Sequence, residues 1–117
     1  MIARLKEWFA GFSDPHDVRI FRDRIVLRNT RTGRSIDRCA AKRFSSDRKL
    51  VADPDAATAL LGEMIREMER ARRFAMWPRA SIHLMEPGYG APSESEARTI
   101  CETFETLGYQ KVEIVRG

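Results

Sequence analysis

The sequence has little of what usually announces a chemistry. Cys39 and Cys101 are its only cysteines, and they stand far apart among 117 residues. That excludes a disulfide-stapled scaffold and reads as two free thiols in a reducing compartment. The two histidines, His16 and His83, share no close spacing with each other or with a cysteine, so no zinc-ligand pattern is present. No apolar run approaches the roughly 20 residues that span a bilayer. Arg4, Lys6 and Glu7 break the apolar N-terminus where a signal peptide needs an unbroken core. The expected location is cytoplasmic. The pair Gly88 and Gly90 in "EPGYGAPSESEA" (86–97) is the one place that suggests a phosphate cradle at a helix start. No lysine follows in Walker spacing, and Glu86, Glu94 and Glu96 flank the stretch. It therefore reads as a strand-to-helix turn. No cofactor and no metal is expected.

What the chain does have is an uneven distribution of charge. Its net charge is +4. Residues 19–49 carry eleven Lys/Arg against three Asp/Glu, whereas residues 50–117 carry eight against eleven. Arg19, Arg22, Arg24, Arg28, Arg31 and Arg34 mark a candidate basic surface. Such asymmetry suits a nucleic-acid or anionic-membrane partner. It also suits arginines on the solvent side of a sheet, and no aromatic residues interleave with them as base stacking requires.

The pattern of apolar residues divides the chain into a short N-terminal segment, 1–12, and one domain, 13–117. In "MIARLKEWFAGF", Ile2, Leu5, Phe9 and Phe12 share a helical face with Trp8 at its edge. This is the layout of an interfacial amphipathic helix, or of a helix that packs back on the domain. "SDPHD" (13–17) reads as a turn. "VRIFRD" and "RIVLRN" alternate apolar residues with arginine, and "SIDRCAAKRF" follows a loop at Gly33. These are three antiparallel, half-exposed strands. "DPDAATALLGEMIREMERARRF" is a helix with Asp53 as N-cap and Pro54 in its first turn; Leu60, Leu61, Met64, Ile65 and Met68 form its buried stripe. "ASIHLME" reads as a buried strand, with His83 pointing away from Ile82 and Leu84. Ser93 and Glu96 make a capping box for a second helix, whose buried face is Ala97, Ile100, Cys101, Phe104 and Leu107. "KVEIV" closes the domain as a strand. The expected class is α/β, with the order βββαβαβ and a five-stranded mixed sheet, preceded by the short amphipathic helix.

That order is shared by the ribonuclease-H-like fold and the first subdomain of actin-like ATPases. The residues resemble rod-shape-determining bacterial actins of the MreB type. "LVADPDAATALLGEMI" is similar to their V-I-A-D-F segment and the helix after it, and "WPRASIHLMEP" to their R-P-x-x-x-I-x-x-x-P strand. "SESEARTICETFETLGYQKVEIV" resembles their T-E-V-E-R-R-A-V helix and the strand beyond, with Glu94, Glu96, Arg98, Gly108 and Val112 on family-like positions. "MIARLKEWFAGFS" looks like their membrane-binding start. The resemblance runs through nearly the whole chain and matches about the N-terminal third of a full-length member.

The departures bear on function. The family holds the nucleotide's phosphates on a hairpin of D-x-G-T-x-x-T type between its first two strands, where glycine lets backbone N–H groups approach the phosphate. "DVRIFRDRIVLRN" is shorter, with no glycine and no threonine before Thr30. The second phosphate loop and the base site fall in chain beyond the position of Gly117. The glutamate at the position of Glu96, which in the family positions the attacking water, is expected here to complete the capping box. Cys101, on a buried helical face, is a poor nucleophile, and no catalytic residues are assigned. The resemblance implies a non-catalytic actin-like domain, linked to cell shape or the cytoskeleton. It would contact a membrane surface, or a cell-envelope or cytoskeletal protein, through Ile2, Leu5, Trp8, Phe9 and Phe12, and sit peripherally on the inner membrane. The alternative is a nucleic-acid-binding domain on a ribonuclease-H-like fold, using the basic strands 19–49.

Overall fold

The computed structural model describes residues 15–69, 77–86 and 92–115. The elements follow the expected order: β1 (His16–Phe21), β2 (Arg24–Asn29), β3 (Ser35–Cys39), α1 (Pro54–Met68), β4 (Trp77–Leu84), α2 (Glu94–Thr106) and β5 (Tyr109–Val115). They build one five-stranded sheet in the order β3-β2-β1-β4-β5. β1–β2 and β2–β3 pair antiparallel, and β1–β4 and β4–β5 pair parallel.

Alternation decides which residues meet. The register sets Val18 opposite Leu27 and Ile20 opposite Ile25, and Val18 beside Ile82 across the parallel pair. All five are buried with Ala80 under the helices. A slip of one residue would turn this row outward and bring arginines in. α1 begins where Asp53 accepts a hydrogen bond from the Ala56 N–H at 3.1 Å, with Pro54 at the first helical position. Leu60, Leu61, Met64, Ile65 and Met68 are all buried, as their spacing predicts. α2 begins at Ser93, whose Oγ accepts from the Glu96 N–H at 3.2 Å, and stops at Gly108, which takes φ 103°. The two helices pack on each other; α1 also touches β2 and β3, and α2 lies on β5.

Five local expectations need correction. α1 ends at Met68, with Glu69 as its C-cap, short of the helix through Phe74 that the sequence pattern predicts. β1 starts at His16 inside "SDPHD", because His16 and Asp17 continue the alternation, one buried and one facing out. β3 stops at Cys39; the chain then turns in to bury Phe44 and Leu50. The buried face of α2 is Glu96, Ile100, Thr103 and Phe104, while Ala97, Cys101 and Leu107 are only half-buried. The stripe is rotated because the Glu96 carboxylate has a donor inside: Leu50 N–H, at 3.1 Å from its Oε2. Lastly, β4 is covered on one side only. Ala80 and Ile82 are buried, but Ser81 and His83 lie on the opposite face, half-exposed.

Candidate functional site

In open α/β sheets a ligand crevice forms outside the carboxyl ends of two adjacent strands whose outgoing connections run in opposite directions. Here those strands are β1, which turns back into β2, and β4, which leads on to α2 and β5. The resemblance also sends a nucleotide's phosphates to the β1–β2 hairpin. The connection has only two residues, Arg22 and Asp23, and Asp23 sits in the left-handed region at φ 54°, which aspartate tolerates better than most side chains.

Both side chains are committed to the protein itself. Asp23 Oδ1 accepts from the backbone N–H groups of Phe44 (2.9 Å) and Ser45 (2.8 Å), and Oδ2 accepts from Arg43 Nε at 3.0 Å. The Asp23 N–H donates to Ser45 Oγ at 2.9 Å, and that hydroxyl donates to the Leu50 carbonyl at 2.8 Å. Arg22 donates its backbone N–H to Glu86 Oε2 at 3.3 Å, just past β4, sets its Nε 3.6 Å from Glu86 Oε1, and gives a guanidinium hydrogen to the Ser46 carbonyl. Two converging backbone N–H groups and an arginine form an anion nest, and a carboxylate of the chain fills it. Burial pushes the Asp23 carboxyl up, but the Ser45 and Phe44 N–H groups and Arg43 outweigh it and hold the group below the usual carboxylate range. The Glu96 carboxylate joins the same end of the sheet through Leu50 rather than facing open space.

The basic residues of 19–34 do not form one surface. Arg19, Arg24 and Arg28 lie on the sheet face away from the helices, by their register with Val26, Phe21 and Asp17. Arg24 is paired with Asp37 through two short bonds and stacks over the Phe21 ring at 4.6 Å. Arg22 belongs to the hairpin contacts above. Arg34 reaches the other way and donates to the Met68 carbonyl at the end of α1, at 3.0 Å. Arg31 lies in the exposed β2–β3 loop. On the open face, Asp17, Arg19, Val26 and Arg28 line a shallow depression of about 380 Å³ that runs to Gly33 and Ser35. His83 Nε2 meets Asp17 Oδ1 there at 2.7 Å. Among the described residues no group of three His, Cys, Asp or Glu is placed to hold a metal ion. Ile2, Leu5, Trp8, Phe9 and Phe12 lie outside the described residues, as does the glycine pair Gly88 and Gly90.

Sequence reading missed a buried polar cluster at the opposite end of the sheet. His16, 1% exposed, holds Tyr109 Oη at 2.5 Å through Nδ1 and Glu69 Oε1 at 3.2 Å through Nε2. Asn29 donates to the same Glu69 oxygen at 2.7 Å. A carboxylate accepts only, so Nε2 carries the proton and Nδ1 accepts from the tyrosine. Burial, aided by the Glu69 charge, pushes the Tyr109 phenol up, in keeping with its role as donor. The cluster ties β1, β2, β5 and the end of α1 together. Cys101 is also pushed up, by desolvation first and then by Glu105 and Glu102, which makes its thiol a weak nucleophile. No helix among the described residues is long and apolar enough to cross a membrane.

No family model and no curated protein matches the chain. Among solved structures its fold is similar to that of MreB5 of Spiroplasma citri, determined bound to ADP, with a TM-score of 0.57 and 14% identity. The match covers 89% of this chain and 38% of that one, so the chain spans well under half the length of its structural neighbour. The likeness is one of fold: a mixed five-stranded sheet with two helices, as in the actin-like and ribonuclease-H-like proteins.

Proposed function

We propose that this chain is a non-catalytic actin-like domain that works as an interaction module associated with cell shape or the cytoskeleton. One observation carries the reading. The β1–β2 hairpin, where the resembling family holds phosphate, is a two-residue turn whose Asp23 carboxylate already occupies the nearby backbone donors. Among the described residues, a phosphate approaching that end of the sheet meets the carboxylates of Asp23, Glu86 and Glu96, with the N–H groups of Phe44, Ser45 and Leu50 already taken, and like charges at short range repel. The cytoplasmic, peripheral membrane setting is part of the same proposal. It rests on the pattern of Ile2, Leu5, Trp8, Phe9 and Phe12, with Arg4 and Lys6 beside them.

A ligand that binds the native state raises its melting temperature. Thermal denaturation with and without ATP and magnesium is therefore the test, and no shift is expected. A shift that saturates with ATP would overturn the non-catalytic reading. Co-sedimentation with anionic and neutral liposomes, for the full chain and for a chain starting at Ser13, tests the membrane contact. Binding that disappears with residues 1–12 supports it, and equal binding by both refutes it.

A further inference from the structure

The two broad sides of the domain carry opposite charge. On the outward side of the helices, among the described residues, Asp55, Glu63, Glu94, Glu102 and Glu105 face solvent against two cations, Arg66 and Arg98; Glu67 turns to Arg38 on β3 instead, at 2.6 Å. On the open sheet face, Arg19, Arg24, Arg28, Arg79 and Lys111 stand against Asp17, Asp37 and Glu113. Parallel strands are ordinarily covered on both faces and read as near-continuous apolar runs. Here the parallel half of the sheet shows Asp17, Arg19, Arg79, Ser81, His83, Lys111 and Glu113 on its second side, with the apolar Phe21 and Val115 at its carboxyl end. No apolar helix layer fits such a surface. A charged one does.

Two details sharpen the match. Arg79 and Lys111 sit directly opposite each other in the β4–β5 register, both exposed. Like charges in that position cost stability, and an anionic partner offsets the cost. α2 lies on the other side of the sheet from this pair, packed on β5. Its last turns, with Glu102 and Glu105, lead through Gly108 straight into Tyr109 and β5. A second copy shifted along the sheet normal therefore brings Glu102 and Glu105 over Arg79 and Lys111. The carboxylates scattered on the open face favour this partner over a polyphosphate: Asp37 and Asp17, already paired with Arg24 and His83, lower the face's attraction for a nucleic-acid backbone, and Glu113 repels it.

We propose that the open sheet face is a docking surface for the helical face of a second copy of this chain, centred on Arg79 and Lys111 against Glu102 and Glu105. The contact is heterologous, so each added copy presents both faces again. It stands independently of whether nucleotide or membrane is bound.

Sedimentation velocity over a range of concentrations tests it. In low salt the average mass should rise with concentration. In molar salt, where the screening length falls to about 3 Å, it should return to the 13.5 kDa of one chain. Arg79→Glu with Lys111→Glu keeps two like charges in register, so the fold meets the same repulsion, but the partner meets the wrong sign. That pair should be monomeric in low salt. Glu102→Lys with Glu105→Lys, which places cations at a helix C-terminus where they are favoured, should be monomeric as well. The four changes in one chain should restore association. Arg79→Gln with Lys111→Gln is the neutral check if either reversal fails to fold, and it should also weaken association. A wild-type chain that stays monomeric in low salt overturns the proposal, as does association that survives the reversals, or a folded fourfold variant that stays monomeric. Duplex DNA binding by a wild-type chain that does not self-associate assigns the face to nucleic acid instead.

Discussion

β1 and β2 show two chemistries to their two sides. Val18, Ile20, Ile25 and Leu27 are at most 1% exposed beneath the helices, while Asp17, Arg19, Val26 and Arg28, their neighbours in sequence, line an open face. The same backbone thus holds a core and a charged surface a residue apart. The covered side carries stability through apolar area removed from water. The open side carries charge, and charge at a solvated surface contributes little to stability. Substitutions that separate the two sides test that division.

The largest effect belongs to the covered side. Leu61, 1% exposed on α1, is one of the side chains that hold the helices to the sheet. Leu61→Ala should cost about 2–5 kcal/mol through lost burial and a residual cavity, read as a lower midpoint in urea with an unchanged slope. A loss of under about half a unit would mean that α1 does not press this face on the core.

Polar groups on the covered side obey a different rule. Tyr109→Phe removes the hydrogen that Nδ1 of His16 accepts and leaves that nitrogen buried without its tyrosine partner. The expected cost is about 1–3 kcal/mol. If the loss were absent, the cluster of His16, Asn29, Glu69 and Tyr109 would be ornamental rather than a tie between four elements. Val18→Thr asks the same question in reverse. It places a hydroxyl at a position 0% exposed, at a cost of about 1–3 kcal/mol.

The strands, α1 and the capping of both helices were legible in the sequence because they follow from local spacing: two residues in strands, three to four in helices. The buried cluster was not. His16 looks like part of a turn in "SDPHD", and its partners Glu69 and Tyr109 lie 53 and 93 residues away. No local pattern predicts such a meeting. The same limit applies to Arg22 and Arg34. Both read as surface cations, yet each donates to a backbone carbonyl on another element, Ser46 and Met68. Glu96 was legible as half of a capping box through its N–H, but not as the acceptor for Leu50. The absence of glycine and threonine from the β1–β2 hairpin was visible in the sequence; that Asp23 fills the neighbouring nest was not.

Asp23 marks where the core gives way to the open carboxyl end of the sheet. Its carboxyl is held below the usual range, so the folded state binds a proton less readily than the unfolded chain. Its contribution is therefore full above the unfolded value, near 3.9, and is lost as pH falls through the lower folded value. Asp23→Asn keeps an oxygen for Phe44 and Ser45 and tolerates the left-handed backbone, but loses the charged bond to Arg43. The variant should be about 1 kcal/mol less stable at neutral pH, and the gap should close below about pH 4. A gap that stays constant with pH would mean that charge is not what holds the hairpin to residues 43–45.

The smallest effect closes the comparison. Val26 neighbours Leu27 on β2 but faces the open side, opposite Arg19 and Asp37. Val26→Thr is the same chemical change as Val18→Thr, in the same sheet, and the new hydroxyl reaches water. Threonine keeps the branched shape that suits a strand, so stability should stay within about 0.5 kcal/mol of wild type. Denaturation of the two valine variants side by side measures the difference between the faces directly. Equal losses at both positions would mean that the open face is covered in solution at the concentration used. Repeating the pair at high dilution would then distinguish a second copy, whose cover is lost on dilution, from cover by the chain itself.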